Sequence, residues 1–134
     1  MTVVLCLDDN NGMLFNNRRQ SKDSLLIKDL LSYTSQKILI NKFSEDLFSG
    51  FTDNVIISED FLENAGTEEV CFVENIDLTK FEEKIEKLIV YRWNKVYPND
   101  FRCNIRLDNY SLVEASDFQG SSHEKITRSV FRKC

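Results

Sequence analysis

Short apolar runs separated by polar stretches dominate the chain, and their lengths predict strands that alternate with helices. Apolar residues repeat with helical spacing over 24–34, which predicts an amphipathic helix that Ser21 or Asp23 is suited to N-cap. Shorter helices are predicted from Ser44 onward, over 59–64 and over 79–87. The runs that predict strands are 2–7, 37–41, 54–58, 70–73, 88–93, 101–107, 112–113 and 126–132. This order predicts an α/β fold, a single domain over residues 1–134 with a central mixed β-sheet flanked by helices.

The composition fits such a domain and excludes several other classes of protein. With 134 residues, of which 42% are hydrophobic, the chain is long enough to bury one core. An 11% share of aromatic residues argues against intrinsic disorder. No run approaches the roughly 20 apolar residues of a membrane span, and the apolar N-terminus lacks the basic residues of a signal peptide. We therefore expect a cytoplasmic protein that makes no contact with a membrane.

The cysteines and the single histidine predict no metal site. The cysteines lack the C-x-x-C spacing of structural zinc sites, and one histidine cannot complete the usual ligand sets. We expect reduced thiols, as is usual for cytosolic proteins. The four cysteines are Cys6, Cys71, Cys103 and Cys134.

The charge is negative overall and unevenly spread. The formal net charge is −5, with nine basic and seventeen acidic residues in 1–87 but eight basic and five acidic residues in 88–134. Such asymmetry fits a partner-binding surface or an ordinary mixed surface. Aromatic residues alternate with basic ones over 91–102, a pattern that either stacks on nucleic-acid bases or places one face of a strand in the core. The acidic net charge favours the second interpretation, and we expect no nucleic-acid partner.

The order of elements, together with several short motifs, resembles the dihydrofolate reductase family along nearly the whole chain. The first strand and the Asn11-Gly12-Met13 that follows it are similar to the family's first strand and to the Asn-Gly-Ile that opens its mobile active-site loop. The segments 37–42 and 54–58 resemble the strand before the family's Gly-Arg turn and its Asn-Ile-Ile-Leu-Ser strand. A long hairpin around Pro98 and the last segment, 126–132, also fit. The resemblance implies a dihydrofolate reductase-like fold.

Asp23 falls where the family keeps its single catalytic acid, at the head of the first helix. The resemblance therefore implies that Asp23 protonates a substrate ring nitrogen, provided that burial raises its pKa towards neutrality. The alternative is a structural role, because aspartate is a common helix N-cap.

The resemblance breaks at the positions that bind the family's cofactor, NADPH. Residues 18–20 replace the family's Leu-Pro-Trp, and 41–44, Asn-Lys-Phe-Ser, replace the Gly-Arg-x-Thr turn that cradles NADPH. Glu74-Asn75 replaces the glycine pair that lets backbone N–H groups approach the pyrophosphate, and Ser58 is followed by Glu59-Asp60. A carboxylate about 4 Å from a phosphate repels it by several kcal/mol near a protein surface. We therefore expect no cofactor, and NADPH only if the chain is a reductase.

Two polar segments are candidate binding sites, and we name them the basic loop (16–23) and the serine–histidine loop (120–125). The cations of the basic loop suit a carboxylate or phosphate, although a solvated loop gives the same pattern. Ser121 with Glu124 also fits a helix capping box. Because the resembled topology brings the two loops together, we predict that they touch and form one cationic concavity. The candidate binding residues are Arg18, Arg19, Lys22, Ser121, Ser122 and His123.

These features favour a non-redox binding or regulatory domain over an enzyme. It would engage a protein partner or a small anionic ligand near the two loops. The alternative is an NADPH-dependent reductase of a pterin or a similar small heterocycle. A hydrolase has little support, because no clustered carboxylates or histidines provide a metal site and a Ser–His pair adjacent in sequence rarely reaches catalytic geometry. If Arg18 and Arg19 belong to a surface site, replacing both by Ala should change stability by no more than about 0.5 kcal/mol.

Overall fold

The structure is a computed structural model that describes residues 1–134. Its two α-helices are α1 (Ser24–Thr34) and α2 (Phe61–Asn64), and 3-10 helices cover Lys42–Phe48, Thr52–Asn54, Thr79–Lys84 and Leu107–Asn109. Its strands are β1 (Thr2–Leu7), β2 (Gly12–Phe15), β3 (Arg18–Arg19), β4 (Ile38–Ile40), β5 (Val55–Ile57), β6 (Val70–Phe72), β7 (Lys87–Arg92), β8 (Phe101–Arg102), β9 (Tyr110–Phe118) and β10 (Ile126–Lys133). None of the helices combines the length and the apolar character that crossing a bilayer requires.

Seven of the strands form one mixed sheet, in the order β5-β4-β6-β1-β7-β10-β9. The neighbours from β5 to β7 are parallel, whereas β10 runs antiparallel to both β7 and β9. A second, smaller sheet has the order β3-β2-β8. The central sheet with its flanking helices confirms the predicted α/β class.

Alternating residues of β1 divide the core between the two faces of the sheet. Val3 belongs to a buried cluster that contains Phe61 of α2, whereas Val4 belongs to a cluster that contains Leu26 and Leu30 of α1. All five side chains are at most 2% exposed. Fully burying a side chain of this size stabilises the fold by about 1.5–3 kcal/mol. The two clusters hold α1 and α2 against opposite faces of the sheet, which fixes the loops at the helix ends.

The amphipathic helix predicted over 24–34 is confirmed, and Asp23 rather than Ser21 is its N-cap. Asp23 has extended backbone angles and its carboxylate accepts hydrogen bonds from the backbone N–H groups of Leu25 and Leu26. Ser35 ends the helix in the left-handed conformation with φ of 52°.

The predicted helix over 79–87 is wrong in its second half. A 3-10 helix covers Thr79–Lys84, and β7 already begins at Lys87. The reason is pairing, because Glu86 N–H donates to the Met1 carbonyl and Lys87 lies beside Thr2 in the sheet register. Backbone hydrogen bonds to neighbouring strands outweigh the local helical spacing of the apolar residues.

The capping box predicted at Ser121 and Glu124 is also wrong, because no helix follows. Residues 120–125 form a bent loop, and the Ser121 hydroxyl bonds to the Asp23 carboxylate instead of capping its own segment. Asp23 lies 98 positions away in the sequence, so a local pattern cannot reveal this partner.

The polar side chains of interest gather where the parallel strands end. Asp8 follows β1, Asn41 follows β4, Glu74 lies shortly after β6 and Trp93 follows β7. In open α/β sheets, ligands bind in the crevice beyond the carboxyl ends of the strands. This edge is therefore the natural place for a functional site.

Candidate functional site

A tight hairpin places two arginines beside this edge of the sheet. Asn16 and Asn17 connect β2 to β3 with φ of 51° and 60°. Positive φ at both central residues is the signature of a type I′ hairpin turn, which asparagine tolerates. Side chains alternate along a strand, so Arg18 is exposed while Arg19 is half-buried. Part of the basic loop, which the sequence analysis treated as a loop throughout, is thus a short strand.

Arg19 joins two carboxylates that come from different parts of the chain. Its Nε and Nη2 donate to Glu74 at 2.8 and 3.1 Å, and its Nη1 and Nη2 donate to Asp46 at 2.8 and 3.0 Å. Nη2 also donates to the Phe43 carbonyl at 3.2 Å, and the guanidinium lies over the Phe43 ring. Burial by itself lowers the pKa of Arg19, but the two carboxylates raise it above its usual range. Arg19 is therefore an internal ion-pair partner and not a free surface cation.

The acidic residues at this edge are tied down as well. Glu74 is buried, and it accepts a second bond at 2.7 Å from the Ser44 hydroxyl. Glu59 accepts from the Lys42 backbone N–H at 2.8 Å, at the start of the Lys42–Phe48 helix. Asn41 donates to the Asn75 side chain at 2.9 Å. The turns 41–44 and 74–75 are thus joined by the Ser44–Glu74 and Asn41–Asn75 hydrogen bonds, while Oδ1 of Asn41 is buried without a partner.

Asp23 is a buried carboxylate that clamps the serine–histidine loop onto α1. Besides capping the helix, it accepts hydrogen bonds from the backbone N–H groups of Ser121 and Ser122, both at 2.9 Å, and lies 2.9 Å from Nδ1 of His123. Burial by itself raises the pKa of Asp23, but these hydrogen bonds lower it well below its usual range. The direction of this shift is opposite to the raised pKa that a general acid requires, and the contacts of Asp23 are those of a helix cap that also holds the loop.

Gly120 is the residue that lets the loop approach Asp23 so closely. A Cβ at this position would lie 2.3 Å from Oδ2 of Asp23 and 2.8 Å from Cδ1 of Ile126. No side chain fits at these distances, because real Cβ atoms essentially never come so close to another atom.

His123 is buried between the two loops and has a partner on each ring nitrogen. Nδ1 faces Asp23, while Nε2 lies 2.9 Å from the Ser21 hydroxyl and 3.2 Å from the Tyr97 hydroxyl. The ring stacks on Trp93 with a centroid distance of 4.6 Å. Because an ionised Asp23 can only accept, Nδ1 carries a proton, and in the neutral ring Nε2 is then the acceptor for the hydroxyls.

The predicted contact between the two loops is present, but the predicted combination of cations is not. Arg19 is neutralised by carboxylates and His123 is only 6% exposed, so neither joins Arg18 in one cationic concavity. Ser121 and Ser122 bind Asp23 through their hydroxyls as well as their N–H groups.

Arg18 and Lys22 remain exposed, and both line an open cleft of about 500 Å³ beside β3. Asn17, Arg19, Ser21 and Asp46 complete its charged and polar lining. Arg19 and Asp46 pair with each other, so Arg18 and Lys22 are the two cations of this cleft that have no carboxylate partner.

The interior beneath the cleft is apolar and narrow. Its cavity volume is about 20 Å³, whereas pockets for small organic ligands measure about 300–1,000 Å³. The space would hold little more than one water molecule. Burial, followed by the charge of Glu74, raises the pKa of the Cys6 thiol well above its usual range. The apolar lining consists largely of Cys6, Leu26, Ile27, Leu47, Phe72, Val73 and Trp93.

No group of three or more His, Cys, Asp or Glu side chains is placed to hold a metal ion.

The sequence analysis missed the hydrogen-bonded chain Ser21–His123–Asp23. Ser21 lies 102 positions from His123, and Asp23 lies 100 positions from it. It also missed the pairing of Arg19 with Glu74. Both depend on loops that only the tertiary fold brings together.

Comparison with solved structures supports the fold. The chain is similar to dihydrofolate reductase from Enterococcus faecalis complexed with NADP(H) and RAB-propyl, with a TM-score of 0.66 and 11% sequence identity. The similarity covers 98% of this chain and 95% of that chain. No protein-family model and no curated protein matches the sequence. The predicted dihydrofolate reductase-like fold is confirmed.

Proposed function

We propose that this chain is a non-redox binding domain on a dihydrofolate reductase-like scaffold, and that it holds a small anionic ligand in the cleft beside the basic loop. The observation that carries the non-redox part of the proposal is the position of Arg19. Its guanidinium links Glu74 to Asp46 and Phe43, so one side chain of the basic loop bridges the two turns that correspond to the cofactor turns of the resembled family.

The residues at these turns do not fit NADP(H), the cofactor in the Enterococcus complex. A phosphate at the start of the Lys42–Phe48 helix would compete with Glu59, which already accepts from the Lys42 N–H. At the other turn it would meet the buried carboxylate of Glu74. A phosphate about 4 Å from either carboxylate would be repelled by several kcal/mol at an effective dielectric constant near 20. We therefore derive no reaction step through this cofactor.

The reductase alternative has a second difficulty in the substrate pocket. A pterin needs a pocket many times larger than the roughly 20 Å³ beneath the cleft. The lowered pKa of Asp23 also supports a carboxylate that stays ionised and holds the loop, rather than one that donates a proton.

The basic loop supplies the positive charge for the proposed ligand. Arg18 projects from a short strand and Lys22 from the segment just before α1, and both line the same cleft. A guanidinium and an ammonium on one cleft suit a carboxylate or phosphate, because each donates charge-assisted hydrogen bonds. The four cysteines are unpaired, as is usual for proteins of a reducing compartment, and we propose a cytoplasmic location.

Calorimetric titration with inorganic pyrophosphate tests this function. At low ionic strength the wild-type protein should bind the probe, and Arg18→Ala/Lys22→Ala should weaken binding at least tenfold. Lys80→Ala/Arg106→Ala is the matched control, because it removes the same charge from exposed positions away from the cleft. The proposal fails if wild-type protein gives no binding heat, or if the two double variants bind equally well.

A further inference from the structure

Three side chains from the two loops form a hydrogen-bonded chain that anion binding does not require. The Ser21 hydroxyl lies 2.9 Å from Nε2 of His123, and Nδ1 of the same ring lies 2.9 Å from Oδ2 of Asp23. A hydroxyl, an imidazole and a carboxylate in this order, each within hydrogen-bond distance of the next, are the geometric criterion for a nucleophile, its base and an orienting acid.

The surroundings hold the imidazole in the orientation that a general base needs. His123 is 6% exposed and stacks on the Trp93 ring at a centroid distance of 4.6 Å. Asp23 is itself fixed by the backbone N–H groups of Ser121 and Ser122. In the neutral ring with Nδ1 protonated, Nε2 faces the Ser21 hydroxyl at 2.9 Å and the Tyr97 hydroxyl at 3.2 Å, and it can take up a proton from Ser21.

Ser21 is also accessible and has donors beside it. It is partly exposed and lines both the open cleft of about 500 Å³ and the narrow apolar pocket. The backbone N–H groups of Ser21 and Lys22 donate to no group of the protein. The N–H of a nucleophile, or of the residue after it, commonly stabilises the oxyanion in acyl transfer.

We propose that Ser21, His123 and Asp23 are a catalytic triad that hydrolyses carboxylic esters bearing an anionic group. Ser21 is the nucleophile and His123 the general base, and Asp23 is a positioning residue that acts through His123. The anionic group would bind Arg18 and Lys22, so this choice of substrate rests on the proposed function.

The reaction balances without a cofactor. The Ser21 oxygen bonds to the ester carbonyl carbon while its proton passes to Nε2 of His123. The tetrahedral intermediate then breaks its bond to the leaving alkoxide, which takes the proton from His123 and departs as the alcohol. Water attacks the acyl-serine ester in the same way, and its proton passes through His123 back to Ser21 Oγ. The products are one alcohol and one carboxylic acid.

Ester hydrolysis and covalent labelling test whether Ser21 is the nucleophile. Wild-type protein should hydrolyse mono-4-nitrophenyl succinate faster than neutral 4-nitrophenyl acetate, and diisopropyl fluorophosphate should label Ser21, as mapped by peptide mass spectrometry. Ser21→Ala should lower the esterase rate at least about 100-fold. Ser49→Ala, an exposed serine without a side-chain partner, should leave the rate unchanged. The inference is overturned if Ser21 is not labelled, or if Ser21→Ala retains the wild-type rate.

Asp23→Asn tests the positioning role, provided that circular dichroism shows the variant to be folded. It should lower kcat at least about 100-fold with little change in KM, because the amide favours the wrong imidazole tautomer. An unchanged kcat in the folded variant contradicts the triad. If the variant does not fold, labelling of Ser21 in the wild-type protein still decides the inference.

The two proposals fail separately. If pyrophosphate binding depends on Arg18 and Lys22 but Ser21 is neither labelled nor needed for hydrolysis, the triad is wrong and the binding function stands. If Ser21 is labelled and needed for hydrolysis of the neutral ester while pyrophosphate does not bind, the triad stands and the anionic substrate class is wrong.

Discussion

Replacing Arg19 by Met should destabilise the protein far more than a surface substitution does. In the folded state Glu74 is 8% exposed and Asp46 is 65% exposed, so the loss of the pair with Glu74 dominates. Removing one partner of a buried ion pair costs about 3–5 kcal/mol. The Arg19 side chain is itself 19% exposed, and Glu74 keeps its bond from Ser44, so we expect a smaller loss of about 2–4 kcal/mol.

Urea unfolding followed by the fluorescence of Trp93, the only tryptophan, measures this loss. A double-mutant cycle with Glu74→Gln isolates the pair, because Gln keeps the size of the side chain and removes its charge. The double variant should be little less stable than Arg19→Met alone, which corresponds to a coupling energy of at least about 1.5 kcal/mol. Arg18→Met, an exposed neighbour on the same strand, should change stability by no more than about 0.5 kcal/mol.

The comparison of the two arginines tests whether the ion pairs of Arg19 stabilise the fold. If Arg19→Met is no more destabilising than Arg18→Met, the ion pairs of Arg19 do not hold the turns 41–44 and 74–75 together. Because Arg19 is half-buried and ion-paired, we expect the joint loss of Arg18 and Arg19 to destabilise the protein, in contrast to the nearly neutral change predicted from the sequence.

Three further predictions concern Gly120, Asp23 and the cysteines. Gly120→Ala should cost about 1–3 kcal/mol because its Cβ would lie 2.3 Å from Asp23, whereas Gly66→Ala, with 3.6 Å to its nearest neighbour, should be nearly neutral in the same urea assay. The free energy of unfolding should fall as the pH drops below about 4, the pKa of Asp in an unfolded chain, and the fall should be shallower in Asp23→Asn; equal slopes would exclude Asp23 as a source. Ellman's reagent should react quickly with exposed Cys134 alone in the native protein, and fast reaction of a second thiol would contradict the packing.

The sign of the pH effect follows from the direction of the shift. The pKa of Asp23 is lower in the folded state than in the unfolded state. Between the two values the unfolded chain binds more protons, so acid favours unfolding there. The stabilisation is fully present above the unfolded pKa and is lost as the pH falls towards the folded one.

Much of the fold could be predicted because its elements are locally encoded. The helix 24–34 has a clear apolar repeat and a polar cap, and β1 is a continuous apolar run with an Asn-Gly turn after it. The helix prediction over 79–87 failed in its second half because pairing with β1 and β10 overrides the helical spacing of the apolar residues. Local patterns describe such segments poorly, since the competing hydrogen bonds come from distant strands.

The candidate site was harder to predict than the fold for the same reason. The sequence analysis singled out Arg19 and His123 by residue type, and both lie at the interface of the two loops. Their partners are remote, however, since Glu74 lies 55 positions from Arg19 and Ser21 lies 102 positions from His123. Residue type indicates what a side chain can do, whereas its charge state and exposure depend on those partners.

Calorimetric titration with NADPH tests the central claim most directly, when it is performed on the Arg18→Ala/Lys22→Ala variant. This variant lacks the exposed cations that could hold the cofactor's phosphates in the open cleft. With Arg19, Glu74 and Asp46 intact, we predict no binding tighter than about 1 mM. Micromolar binding of NADPH by this variant would show that the turns 41–44 and 74–75 accept the cofactor and would contradict a non-redox function.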